Sequence, residues 1–141
     1  MNSLKKIISP TGKGIRTRDE WGSGFYNSSR DAGLRFHKGI DLICYPDQDI
    51  IMPISGLIVR EAKPYSNKDF SGCLIRASWI EIKMFYFNLN KDLLNKWITE
   101  GKPIGTAQDI SKEYPGITPH IHLEIVSIDP SLLGNFTVEN F

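Results

Sequence analysis

The chain has 141 residues, of which 40% are hydrophobic and 23% charged, with a formal net charge of +1. That is enough chain for one domain with a real core, and an ordinary composition for a soluble globular protein. The near-neutral balance gives no electrostatic reason to expect nucleic acid or an anionic membrane as partner, and no apolar run approaches a membrane span of about 20 residues.

Residues 1–14 are polar and end in Pro10-Thr11-Gly12-Lys13-Gly14, which reads as an N-terminal arm or loop; no apolar stretch of signal-peptide length occurs in it. Lys5, Lys6, Lys13, Arg16 and Arg18 make this region mildly basic, read as solvated loop charge. Residues 15–36 read as irregular structure, with Trp21, Phe25 and Tyr26 either lining a groove or anchoring the core. From Ile40 the pattern is β: apolar segments at Ile40–Cys44, Asp49–Met52, Leu57–Arg60, Cys73–Ala77 and Trp79–Phe87, separated by Gly/Pro turns. Strict alternation puts Ile80, Ile82, Met84, Tyr86 and Asn88 on one strand face, with Glu81 and Lys83 on the other. Residues 89–99 read as a candidate short helix, with Asp92–Trp97 more a packed edge element than a partner helix. Gly101–Gly105 is a turn into a strand, 117–126 the last strong strand, and 129–133 a helical turn before a polar tail over 135–141. Many short strands with almost no helix predict a mainly β fold: a compact antiparallel β-sheet or sandwich, with the domain proper over 15–134.

The chain has three histidines, and all fall in two motifs: His37-Lys38-Gly39-Ile40-Asp41 and Pro119-His120-Ile121-His122-Leu123-Glu124-Ile125. His120 and His122 are two apart on a predicted strand, so both side chains leave one face. His37 and Asp41 flank Gly39, where a turn can aim both at one ion. Imidazole and carboxylate are the donors a divalent ion such as zinc takes, and three protein ligands with one open position make a catalytic rather than a structural site. One Zn2+ is the implied cofactor. Cys44 is three residues past Asp41, but strand parity points it away, which favours a buried thiol over a ligand. A Cys44–Cys73 bridge and two free thiols both stay open.

The two histidine motifs, together with Met52–Val59 and Gly101–Gly105, resemble the M23 (LytM-type) family of zinc endopeptidases that cut peptidoglycan cross-links. Further stretches, Ile15–Asp19, Lys63–Lys68, Ile82–Tyr86 and Tyr114–Ile117, are similar to the leukocyte cell-derived chemotaxin 2-like branch, regarded as non-enzymatic. The resemblance implies a duplicated-hybrid-motif β core with loops walling a metal groove. It implies His37, Asp41 and His122 as zinc ligands and His120 as the active-site histidine, a candidate general base. It also implies a peptidoglycan peptide, or a protein or glycan partner, in the groove. Active members carry a further histidine in a Tyr-x-His-Leu-like run. Here that run is Phe85-Tyr86-Phe87-Asn88-Leu89, so the position falls on Asn88 or Tyr86, and no histidine is left to fill it. A positioned acid/base is worth about 10²–10⁴-fold in rate, so weak or absent hydrolysis is expected. The alternatives are a catalytically silent zinc-stabilised binding module or a structural subunit of a larger particle such as a phage virion. With two cysteines and no recognisable signal, the chain reads as extracellular or cell-wall-acting, or as a virion component.

Overall fold

The computed structural model describes residues 5–16, 29–30, 35–36, 39–132 and 136–141. The strands in chain order are β1 (Lys5–Ile8), β2 (Ser29–Arg30), β3 (Arg35–Phe36), β4 (Ile40–Ile43), β5 (Asp49–Ile51), β6 (Gly56–Ala62), β7 (Gly72–Arg76), β8 (Ile80–Phe85), β9 (Phe87–Leu89), β10 (Trp97–Ile98), β11 (Pro103–Ala107), β12 (His120–Ile128) and β13 (Phe136–Glu139). A six-stranded sheet runs β10-β6-β7-β8-β12-β4, antiparallel at every pairing, beside a three-stranded sheet β5-β11-β9. The expected mainly β, antiparallel architecture is therefore the one observed.

Alternation explains the sheet's two faces. Leu42, Ile58, Cys73, Ile75, Ile82, Met84, Ile121 and Leu123 point one way, into a core shared with Ile50, Phe87, Leu89, Ile104 and Ala107 of the smaller sheet. Removing such side chains from water is the main stabilising contribution, about 1.5–3 kcal/mol for each large one fully buried. The other face of β12, β4 and β8 carries Asp41, His120, His122 and Phe85, because each is one residue out of step with its core neighbours. The polar site thus lies on the sheet face turned away from the core.

Four expectations are corrected. The segment read as an arm forms β1, which pairs in parallel with β13 of the tail and buries Ile7 to 1% exposure. Residues 89–99 form no α-helix: β9 is followed by a 3₁₀ turn at Lys91–Leu93 and by β10 at the edge of the large sheet. Asn90 accepts a hydrogen bond from the Asp92 amide and so caps one short turn, and β10 then pairs with β6 instead of continuing a helix. Arg16 is not solvated loop charge but 1% exposed. Lastly, the alternation over 80–88 breaks at Tyr86, whose φ of 79° turns the chain out of β8 and into the smaller sheet as β9. Phe87 and Leu89 are consequently buried while Asn88 faces solvent.

Cys44 and Cys73 are both free and buried, with no bridge between them. Desolvation pushes each thiol up to about 12. No helix among the described residues is long and apolar enough to cross a membrane.

Candidate metal centre

The site is built on one row of the large sheet. His122 on β12 lies opposite Asp41 on β4 on one side and opposite Phe85 on β8 on the other. Directly opposed antiparallel residues share a face, so the Asp41 carboxylate, the His122 ring and the Phe85 ring stand side by side. His122 Nδ1 donates to Asp41 Oδ1 at 3.0 Å, its Nε2 donates to Glu124 Oε1 at 3.2 Å, and Phe85 stacks on its ring at 5.9 Å. Burial pulls the His122 imidazole towards neutrality, but the two carboxylates outweigh it and raise its pKa to about 9.

His120, two residues earlier, reaches the same carboxylate from above, with Nε2 3.3 Å from Asp41 Oδ2. Its Nδ1 donates to the Thr118 carbonyl at 2.8 Å. A carbonyl can only accept, so the neutral ring carries its proton on Nδ1 and its lone pair on Nε2. Burial at 4% exposure dominates here and pushes the His120 pKa down to about 4, against the pull of Asp41. The two histidines of one motif therefore sit in opposite protonation states at neutral pH.

Asp41 is 2% exposed, and a buried carboxylate needs compensation. Arg16 supplies it: Nε and Nη2 donate to Oδ2 at 3.3 and 3.0 Å. Residues 14–16 run alongside β4, with the Arg16 amide donating to the Asp41 carbonyl and the Ile43 amide to Gly14, which lays the guanidinium over the carboxylate. Arg16 occupies Oδ2 and leaves Oδ1 turned to His122. Gly39, inside the first histidine motif, is required by close approach. A Cβ there would run into the Leu123 carbonyl and come within 2.9 Å of His122 Nε2.

Of the residues expected from the sequence, Asp41, His120 and His122 are brought together, and His37 lies outside the described residues, as do Arg18, Trp21, Phe25 and Tyr26. Of the two positions left open for the missing histidine, Tyr86 is the one at the site. Its ring meets His120 edge-on at 5.5 Å, and burial pushes its phenol far above its ordinary value. Asn88 points elsewhere and accepts a hydrogen bond from Gln108. Cys44 packs in the core rather than at the site.

Zinc holds nitrogen and oxygen donors at about 2.0–2.2 Å in a tetrahedron, which sets two of them roughly 3.3 Å apart. Asp41 Oδ1 and His122 Nδ1, at 3.0 Å, fit that spacing once the Nδ1 proton between them is released, and the Glu124 contact orients His122 in the way an outer carboxylate orients a metal-bound imidazole. Among the described residues no group of three His, Cys, Asp or Glu side chains is placed to hold a metal ion.

Two features were missed in the sequence. The role of Arg16 was hidden because its partner is 25 residues away. The second is an aromatic wall running outward from the site, with Tyr86 edge-on to Phe70 at 5.3 Å, and Phe70 beside Tyr65 and Tyr114 at 6.4 and 6.2 Å. In the sequence Tyr65, Tyr86 and Tyr114 fall in the stretches similar to the chemotaxin 2-like branch, and Phe70, which joins them, lies outside all three.

No family model matches the chain. Its fold is that of the lysostaphin-type (LytM-type) peptidase domain. A solution structure of lysostaphin superposes with a TM-score of 0.53 at 16% identity, covering 86% of this chain and 51% of that one. The catalytic domain of the antimicrobial peptidase lysostaphin from Staphylococcus simulans gives 0.50 at 18%, covering 80% and 84%. In sequence, the chain is 36% identical over 121 residues to leukocyte cell-derived chemotaxin-2 of Bos taurus, a match spanning 84% of this chain and 78% of the relative. With that identity over most of both chains, this protein belongs to the leukocyte cell-derived chemotaxin-2 family.

Proposed function

We propose that this chain is a zinc-binding, M23-like recognition module that holds a cell-wall peptide in the groove over β12 and hydrolyses it slowly or not at all. The observation that carries the reading is Tyr86 standing edge-on to His120, where a peptidase would need a second imidazole. Asp41 and His122, with His37, would hold the ion. Zinc, when bound, supplies a Lewis acid that polarises a carbonyl oxygen. The residues around it divide the remaining work. His120, whose Nε2 lies beside Asp41 and is unprotonated at neutral pH, is the one imidazole left to accept a proton. The Tyr86 phenol donates a hydrogen bond and cannot act as a base at neutral pH, because burial holds its proton in place. One proton acceptor remains where the chemistry uses a pair, a loss of about 10²–10⁴-fold. That the sequence relative is named a chemotaxin, rather than a peptidase, also favours recognition over turnover.

The test is to incubate zinc-loaded protein with bacterial cell walls and with a glycine-rich cross-link peptide, while metal analysis gives the zinc stoichiometry. One zinc per chain, retention on the walls and no soluble cleavage product are expected. Rapid release of cross-link fragments would overturn the recognition reading, and failure to take up zinc would overturn the metal assignment.

A further inference from the structure

The aromatic wall ends in a site already filled by a cation. Lys68 Nζ lies 5.0 Å from the centre of the Tyr65 ring and 4.7 Å from that of Tyr114. It donates to Tyr114 Oη at 2.8 Å and pairs with Glu113 Oε1 at 3.1 Å. Two ring faces, a phenol oxygen and a carboxylate are what an ammonium group seeks when it leaves water. These groups come from two separate loops, one after β6 and one before β12, 46 residues apart at the Lys68–Tyr114 contact.

Three features mark this as more than a loop fastening. First, the cluster is continuous with the candidate metal centre, since Tyr86 touches both His120 and Phe70, and Tyr65 Oη lies 3.5 Å from Tyr86 Oη. Second, a cleft of about 660 Å3 opens beside Lys68, and its walls include Asp69, Asp109 and Glu113. With Lys68 withdrawn, those three carboxylates face a single remaining lysine, Lys112, so the cleft is complementary to positive charge. Third, the Lys68–Glu113 pair is partly solvated, with side chains 28% and 48% exposed. Such pairs are weak and readily exchanged.

We propose that Tyr65, Tyr114 and Glu113 form a subsite for the ammonium group of a lysine-type side chain on a peptide ligand, with Lys68 as its exchangeable internal occupant. The proposal rests on the reading of the groove as a peptide site and names the side chain recognised there. No bond is made or broken: the ligand's ammonium replaces that of Lys68, which swings into water. A tethered occupant competes at an effective concentration in the millimolar range, so the native chain masks its own subsite.

The test uses the full chain, its Lys68→Ala variant, and two probes, acetyl-Gly-Gly-Lys-amide and the uncharged acetyl-Gly-Gly-norleucine-amide, titrated by NMR. Lys68→Ala is expected to bind the lysine probe about tenfold more tightly than the native chain does, and about tenfold more tightly than it binds the norleucine probe. Adding Tyr114→Phe or Glu113→Gln to Lys68→Ala should remove most of that preference. Lys68→Ser serves the same purpose should Lys68→Ala fold poorly. Equal affinity of Lys68→Ala for both probes, or no gain over the native chain, overturns the proposal. Zinc is quantified in the same samples. A lysine preference without zinc uptake leaves the subsite standing and removes the metal reading, whereas zinc uptake without a lysine preference does the reverse.

Discussion

At the scale of single residues, the site is a chain of alternating charge: Arg16, Asp41, His122, Glu124. Removing one member takes a compensating partner from its neighbour. Arg16→Met takes the guanidinium from a carboxylate that is 2% exposed, and breaking a buried pair in this way costs about 3–5 kcal/mol. Urea denaturation of the variant should show a loss of that order; a loss under 1 kcal/mol would mean that Asp41 does not depend on Arg16. The histidines make a second prediction. His120 is held near 4 and His122 near 9, against 6.5 for each in the unfolded chain. A folded pKa below the unfolded one costs stability as pH falls from 6.5 to 4, and one above it costs stability as pH rises from 6.5 through 9. The contribution of this pair is therefore greatest near pH 6.5. An NMR titration of metal-free protein should find His122 protonated, and His120 neutral, throughout the range between. Two titrations coinciding near pH 6.5 would refute the asymmetry.

At the scale of elements, β8 and β12 decide what the site is. Periodicity in the sequence put Ile80, Ile82 and Met84 on one face, and that face is the buried one, because a regular strand obeys its period of two. It failed one residue past the strand, at Tyr86, where a positive φ breaks the alternation. Such a backbone is uncommon for an aromatic residue and costs on the order of 1–3 kcal/mol. The informative variant is Tyr86→His, which sets a second imidazole against His120. If the missing partner is what limits hydrolysis, this variant should release more fragment from cell walls than the native chain. On β7, Gly72 lies so close to β8 that an added Cβ would strike the Met84 carbonyl. Gly72→Ala is expected to force the two central strands apart and to lower the melting temperature measurably by circular dichroism.

At the scale of the whole molecule, the ends of the described chain are joined. β1 and β13 pair over four residues, Ile7 enters the core, and the Ile8 and Ile51 amides tie this pair to the Pro53 and Pro10 carbonyls. Deleting residues 1–9 should therefore destabilise the entire domain, to be read as a shift of the single urea transition; an unchanged midpoint would make the segment an appendage. Both thiols are held near 12 by burial, so native protein should stay unlabelled by Ellman's reagent at pH 8 and react at both cysteines once unfolded. The sequence by itself determined the β architecture, the shared face of Ile80, Ile82 and Met84 and the common face of His120 and His122, since these follow from local alternation and from the residue types that fill it. Only the tertiary structure decided that Arg16 is buried on Asp41, that Tyr86 and not Asn88 meets His120, that the two ends pair, and that Tyr65, Lys68 and Tyr114 share one cluster. Each of those depends on contacts between segments far apart in the chain or on one backbone angle outside the strand pattern, and neither leaves a periodic trace in the residues.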